Sequence, residues 1–452
     1  MVPLRGVTQS LWNDEAYAAV LFVCRGPAFV LARYIPNNHI LFNLLAYVTT
    51  CAFGESELSY RMWGIAPACA GVALGGWWLS RTRGLVDGMI FVVLMTVNLL
   101  VFDLSREARG YGMTLLAQAG LVATAVPVVE ERRLGIACCA LFGAVGTLTL
   151  PVFGLSYALS SIIILSRIRT AVVIVAFAIS WAAVLGVYLP LVPQILASAT
   201  QQFGAPLAWY GFLTSPIDHL LLRTATELFL PEWPPDAVGA MLGLLIVTGC
   251  LSLQRSDKAW VGLLLLVPVM GSYATLSMLG VFVEDRFQSF FAINLTLLVA
   301  LGIGECLRSL RRWFPLNLFV GGMLILGSIP SLPRFIDVVR YAIEVPRENF
   351  KEAAVLAKAS GVRQIVSNSS RPVGLYYYLP GEVRILHGNK LVEALCDSSE
   401  GVVFIDHPFL NDPTDVSCLE REGAFRTRLE QRERGEHIDV WVRYPTTNAF
   451  ID

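Results

Sequence analysis

Long apolar stretches, broken by short charged ones, run through the first three-quarters of the chain. A bilayer core takes about 20 mostly apolar residues per helix. Ten stretches fit: 58–79, 87–104, 111–129, 134–149, 152–166, 170–190, 237–253, 259–280, 288–304 and 314–331. The pair 134–149 and 152–166 is short, with a turn expected at Leu150-Pro151. Residues 38–53 are also apolar; they follow "IPNNH", end at Gly54, and either span or lie in the interface.

After roughly residue 332 the pattern becomes that of a soluble domain. "ENFKEAAVLAKASG" has helical apolar spacing at Phe350, Ala354 and Leu356-Ala357 and a Gly stop. "VRQIVSN", "GVVFID" and "HIDVWVRY" read as strands, and "RPVGLYYYL" as another helix. Such alternation predicts a partly parallel sheet. The expected fold is therefore mainly α: a polytopic helical membrane domain over 1–331, with about 10–11 spans, and a small α/β domain over 332–452.

Composition agrees. The chain is 55% hydrophobic and 15% charged, where soluble domains carry about 25% charged residues. The net charge of −1 excludes a basic field for nucleic acid. The nine cysteines show no metal spacing. Cys138-Cys139 reads as small buried apolar residues. Cys396 and Cys418 pair only if the tail lies in an oxidising compartment.

Charged connections set the orientation. Arg81 and Arg83, Arg132 and Arg133, Arg167 and Arg169, Arg255 and Lys258, and Arg308, Arg311 and Arg312 alternate with cation-poor connections. The positive-inside rule puts this set in the cytoplasm. The outer face then receives 1–57, 103–110, 191–236, 281–287 and the tail 332–452. This parity requires residue 1 outside, yet "MVPLRGVTQSLWN" has no apolar h-region. The expectation is a first membrane helix encoded upstream of Met1.

The outer face collects the polar chemistry: Asp14 and Glu15 in "SLWNDEAYAAV"; Asn37, Asn38 and His39; Asp103, Arg106, Glu107, Arg109 and Tyr111 in "FDLSREARGYGM"; Glu284, Asp285 and Arg286 in "VEDRFQSF". A helix over 103–111 would put Asp103 and Glu107 on one face. Ionisable residues at membrane depth mark functional sites by default, less so at membrane edges. Plainer readings exist for each. Asp14-Glu15 can cap a helix, Arg106 and Arg109 can snorkel, and Asp285-Arg286 can be a local ion pair. Asn37-Asn38 suit a turn, and Tyr111 suits packing. Trp209, Tyr210, Phe212, His219, Phe229 and Trp233 read as an interface belt or a groove lining. His387, Asp406 and His407 are scattered in the tail and read as structural.

In order and sidedness these stretches resemble the GT-C superfamily of membrane glycosyltransferases, in its bacterial branch of protein O-mannosyltransferases and the aminoarabinose transferase. "LWNDEAY" is similar to the acidic motif of the first outer loop. "PNNHILFNLL" is similar to the "HPPL" stretch, with Asn37-Asn38 before the His and no Pro after it, and "ELSYRMWG" to the start of the following helix. "SREARGYGM" resembles the second outer loop. "EDRFQSFFAINLTLLVALGIG" resembles the "RY…P…A.G" helix, with Phe287 for Tyr and no Pro.

The resemblance implies an inverting transferase that takes a sugar from a polyprenyl phosphate to an acceptor hydroxyl on the outer face of a bacterial inner membrane. The acceptor is a lipid, glycan or protein. Asp14 aligns with the family's base, with Glu15 beside it; a positioned base contributes typically 10²–10⁴-fold. The leaving phosphate needs cations, and Arg offers an always-charged bidentate fork: Arg286 first, then Arg106 and Arg109, with His39, Glu107 and Asp285 completing the donor site. A divalent cation, Mg or Mn, is left open, with Asp14, Glu107 and His39 as candidate ligands. The alternative is a transporter or flippase of a lipid-linked glycan, which would carry polar residues near the midplane and broken helices; here the midplanes read as clean.

Reporter fusions at residue 310 and after residue 331 test the topology. They should report opposite sides, the second extracytoplasmic; a cytoplasmic tail would put the acids on the wrong face.

Overall fold

The computed structural model describes residues 10–11, 13–35, 38–130, 132–168, 170–201, 216–222, 224–226, 233–255, 258–278, 285–311, 336–337, 340, 349–362, 364–367, 373–386, 394–395, 402–406, 419, 424–430 and 437–443. The expected span 314–331, the 331/332 boundary, Trp12, Asn37, Trp209, Tyr210, Phe212, Phe229, Glu284, His387, Cys396, His407 and Cys418 lie outside these, as do the side chains of His219, Asp285 and Asp406. The chain forms two compact units. One is Gly26–Ala52 with Arg61–Val338; the other joins Met1–Arg25 and Phe53–Tyr60 to Val339–Asp452.

The first unit is helical. Among the described residues six helices have the length and apolarity of a membrane span: Glu57–Arg83, Tyr111–Val129, Ala171–Ile195, Pro235–Gln254, Ala259–Leu276 and Phe291–Ser309. Leu85–Val97 and Leu99–Ser105 make a seventh span bent by 65°. Ile40–Phe53, Arg133–Thr149 and Phe153–Arg167 are shorter apolar helices, the last two flanking Leu150-Pro151 as expected.

The bend has a local cause. Asn98 takes an extended backbone (φ −66°, ψ 112°) and its side chain accepts from the Val101 N–H. Its amide donates to the Leu220 carbonyl at 2.9 Å. The Thr224 hydroxyl accepts the Leu99 N–H at 3.1 Å. A break inside a membrane is tolerated where freed backbone groups are re-satisfied in this way.

Helix Tyr111–Val129 lies almost backbone to backbone on Glu57–Arg83. A Cβ at Gly112 would collide with the Gly64 carbonyl, and one at Gly64 with the Glu107 carbonyl. Small residues allow such approach between helices in lipid.

The spans are not free of polar groups, which corrects the expected clean midplanes. Gln118 donates to Asn294 at 2.8 Å and accepts from Ser156 at 2.9 Å, while Asn294 donates to the Leu265 carbonyl at 2.8 Å. Tyr157 donates to Ser180 at 3.0 Å, and Ser180 to the Ala140 carbonyl at 2.8 Å. These groups are uncharged and bonded to one another, so they join helices and offer no ion path.

The second unit is built on a five-stranded sheet, order β2-β1-β3-β5-β4, with β1 Gln364–Ser367, β2 Val383–Ile385, β3 Val402–Asp406, β4 Phe425–Glu430 and β5 His437–Arg443. β1 pairs parallel with β2 and β3; β5 pairs antiparallel with β3 and β4. Alternate residues of β3 face opposite sides. Val403 and Ile405 join Phe350, Ala354 and Leu375 in one core, and Val402 and Phe404 join Val366 and Trp441 in another. Helices Phe350–Ala359 and Val373–Tyr378 are where the spacing puts them.

The N-terminal segment is sewn into this unit. Helix Asn13–Ala18 continues as π-helical Ala19–Val23 and packs on Val373–Tyr378. The Leu11 N–H donates to the Tyr378 hydroxyl at 2.8 Å. That hydroxyl donates to Glu57 at 3.3 Å, and Lys351 meets the same carboxylate at 2.7 Å. The Lys351 N–H donates to Ser10 at 3.2 Å.

Tyr378→Phe leaves the Leu11 N–H and Glu57 each short of a partner, at a cost of about 1–3 kcal/mol. Thermal unfolding of the full chain should show that loss and none for Tyr376→Phe, whose ring is 38% exposed. Equal stability of both variants would show that the knot is not tied through this hydroxyl.

Candidate functional site

The second outer connection begins where helix Leu99–Ser105 stops. Glu107 therefore falls past the helix end, and the expected shared face with Asp103 is not formed. Instead Arg106 pairs with Asp103 at 3.2 Å, and its guanidinium carbon lies 4.5 Å from the centre of the Phe102 ring. The Glu107 and Arg106 side chains are both buried. Within the loop the Arg109 N–H donates to the Glu107 carbonyl at 2.8 Å, a tight turn that sends Arg109 inward.

Arg109 is the largest fully buried side chain described, at 0% exposure. Its Nη2 donates to His39 Nε2 at 3.2 Å, and its guanidinium carbon sits 5.0 Å over the Tyr111 ring. His39 meets the same ring edge-on, centroids 5.2 Å apart at 84°. Gly110 leaves room for this packing: a Cβ there would strike both Thr149 and His39. Tyr111 packs, as its sequence suggested, and by packing it braces both Arg109 and His39.

A guanidinium only donates, so His39 Nε2 accepts and its proton is on Nδ1. Burial holds the imidazole well below its usual pKa, and the positive charges of Arg109 and Arg286 push the same way. His39 is thus neutral. Its Nδ1 is buried and has no hydrogen-bond partner among the described residues. This arrangement does not suit a cation at His39: one nitrogen is committed to Arg109 and the other carries the proton, so neither offers a lone pair. Among the described residues no group of three His, Cys, Asp or Glu side chains is placed to hold a metal.

His39 is carried by its own loop. Asn38 donates to the carbonyls of Val30 and Arg33 at 2.8 and 2.6 Å and accepts from Asn43 at 2.9 Å. The turn role expected of Asn38 holds, and it presets His39 at the start of helix Ile40–Phe53. Arg286 lies in the short turn Asp285–Gln288, just ahead of helix Phe291–Arg311.

Gln288 and Ser289, which follow Arg286, were not among the expected site residues. Both are buried, and Gln288 Oε1 and Ser289 Oγ have no hydrogen-bond partner among the described residues. Their only signal was polarity at the head of an apolar run. Asp14 and Glu15 belong to the other unit. They occupy the first turn of Asn13–Ala18, where carboxylates suit a helix N-terminus, and Glu15 is buried.

The neutral state of His39 carries a pH dependence. The unfolded imidazole titrates near 6.5 and the folded one lower, so the unfolded chain binds the extra proton first. The stability His39 contributes is complete above pH 6.5 and declines as pH falls below it, by at most about 1.4 kcal/mol per unit. Unfolding scans from pH 8 to 5 should show a shallower decline for His39→Asn; identical slopes would mean that His39 is protonated in the fold.

No protein-family model and no curated protein matches this sequence. Solved structures do match. ArnT from Cupriavidus metallidurans bound to undecaprenyl phosphate superposes with a TM-score of 0.56 at 10% identity, over 96% of this chain and 94% of that one. The apo state of the same protein gives 0.52 at 11% identity, over 97% and 95%. At this identity the likeness is one of fold, and it spans both units. The chain is a polytopic helical protein with apolar helices of membrane-spanning length, and it shares the fold of ArnT.

Proposed function

We propose that this protein is an inverting glycosyltransferase. It takes a sugar from a polyprenyl-phosphate donor to an acceptor hydroxyl on the outer face of a bacterial inner membrane. The observation that carries the proposal is the buried Arg109 held against His39, with the charge of Arg286 felt at the same imidazole. Arg109 cannot shed its proton, and Arg286 adds a second charge felt at the same imidazole. Two guanidiniums beside an imidazole N–H donor suit an anion of phosphate size. A structure of the same fold binds undecaprenyl phosphate, which supports a polyprenyl phosphate as that anion. The acidic N-terminal segment and the tail form one compact unit, which supports their lying on one side of the membrane.

In the reaction the acceptor oxygen bonds to the anomeric carbon as the anomeric C–O bond to phosphate breaks. The bond's electron pair leaves with the phosphate. Arg286 and Arg109 stabilise that charge, and the Nδ1–H of His39 is placed to donate to it. Arg106, Glu107 and Asp285 shape the donor site. Asp14 takes the acceptor's proton, with Glu15 as its neighbour. Attack opposite the leaving group inverts the anomeric centre.

The 65° break at Asn98 and the polar groups inside the spans are the features that favour a transporter. The freed backbone groups of the break are met by Asn98 and Thr224 side chains, so it serves as a structural bend.

Transfer of labelled sugar from the lipid donor, with product mass confirmed, tests the reading. Asp14→Asn should fold and lose 10² or more in rate, as loss of a general base does. Arg286→Ala should raise the donor KM, and Arg286→Lys should restore part of it, since a point charge replaces a fork. Normal transfer by Asp14→Asn removes Asp14 as base. Normal transfer by the Asn or Gln variants of Asp14, Glu15 and Glu107 alike overturns the mechanism.

A further inference from the structure

Helix Phe291–Arg311 starts just after Arg286 and carries a second charged cluster near its far end. Arg308 lies about 26 Å beyond Phe291, at 1.5 Å per residue, close to the thickness of a bilayer core. There a cavity of about 370 Å³ opens between the ends of helices Glu57–Arg83, Pro235–Gln254 and Phe291–Arg311, lined by Thr82, Arg83, Ser252, Arg255, Glu305, Arg308 and Ser309. Every one of these side chains is polar. The proposed transferase chemistry uses none of them.

The charges do not balance inside the cavity. Glu305 faces three arginines, at 3.2 Å from Arg308, 3.5 Å from Arg255 and 4.0 Å from Arg83. Arg308 is also held by Asp87, whose two oxygens lie 2.9 and 3.0 Å from Nη1. Asp87 is buried against Gly304, where any side chain would displace it. Arg83 donates to the Ser252 carbonyl at 3.2 Å. Three guanidiniums against two carboxylates leave one positive charge. The loosest of the three is Arg255, with a side chain 74% exposed. Arg81 in the first of these connections adds to the field, while Lys258 in the second is offset by Asp257. Arg308 meets Glu305 through both Nε and Nη2, each 3.2 Å from Oε2.

We propose that this cavity is a binding site for the phosphodiester headgroup of an anionic phospholipid. A single negative charge with acceptor oxygens closes the surplus, and hydroxyls of Thr82, Ser252 and Ser309 complete the lining. Its position at the ends of spans puts it at headgroup depth, and basic pockets between membrane helices take such headgroups. Arg255, on the connection after Pro235–Gln254, closes over the ligand from the solvent side.

The test is native mass spectrometry of the delipidated full chain, titrated with phosphatidylglycerol, phosphatidylcholine or inorganic phosphate. Phosphatidylglycerol should bind, and phosphatidylcholine should bind far more weakly. Arg255→Gln should weaken phosphatidylglycerol about five-fold, and Glu305→Gln should strengthen it by a similar factor, the effect of one charge near a membrane surface. Binding is read on intact folded protein, so a loss of stability in Glu305→Gln does not mimic the result, and opposite signs separate charge from damage. Equal binding of the two lipids, or shifts of the same sign in both variants, overturns the site. Displacement of phosphatidylglycerol by equimolar inorganic phosphate overturns the lipid as ligand and makes the site one for a free anion.

Discussion

A permanent positive charge sits fully buried at the end of the helical bundle, and much of the local structure exists to hold it there. Burying a charge costs several kcal/mol even after relaxation, and a guanidinium has no neutral form to retreat to. Arg109 is met by a neutral imidazole at 3.2 Å and the face of Tyr111. Gly110 leaves room for His39. Asn38 and Asn43 fix the loop that carries His39. Burial, and then the charges of Arg109 and Arg286, favour the neutral imidazole. Each of these is a polar commitment in a region where polar groups are expensive, and together they support the proposed anion site.

Two helices bring the parts together. The bent span ends in the loop of Arg106 and Arg109, and Phe291–Arg311 begins just after Arg286. They pack on each other, and at their other ends the Nη1 of Arg308 reaches both oxygens of Asp87. A charge-assisted contact of this kind ties the two helices together at that end. The bend at Asn98 depends in turn on Leu220 and Thr224, more than a hundred residues away in sequence.

The spans were legible because a bilayer imposes a length of apolar residues that no other environment does. β1, β3 and β5 were legible because both faces of those strands are buried. β4 was not: "FRTRLE" shows its arginines to Asp439 on β5 and exposes Phe425, so no apolar alternation marks it. β2 has three residues, too few to carry a pattern. At the site, Arg109 and His39 were each visible as polar residues at a membrane edge. Their pairing was not, since it joins positions 70 residues apart. The polar bonds of Gln118, Asn294 and Ser156 were hidden for the same reason. Single amides in apolar runs reveal their partners only once the helices are packed.

The central claim is that the cluster of Arg109, His39 and Arg286 receives phosphate. Binding of a polyprenyl phosphate and of the matching polyprenol to the purified full chain, compared at equal tail length, tests it most directly. The phosphate should bind roughly tenfold tighter or more, the worth of one hydrogen bond to a charged group, and Arg109→Gln should erase the difference. Equal affinity for the phosphate and the alcohol would contradict the account, because the lipid would then be held by its tail alone.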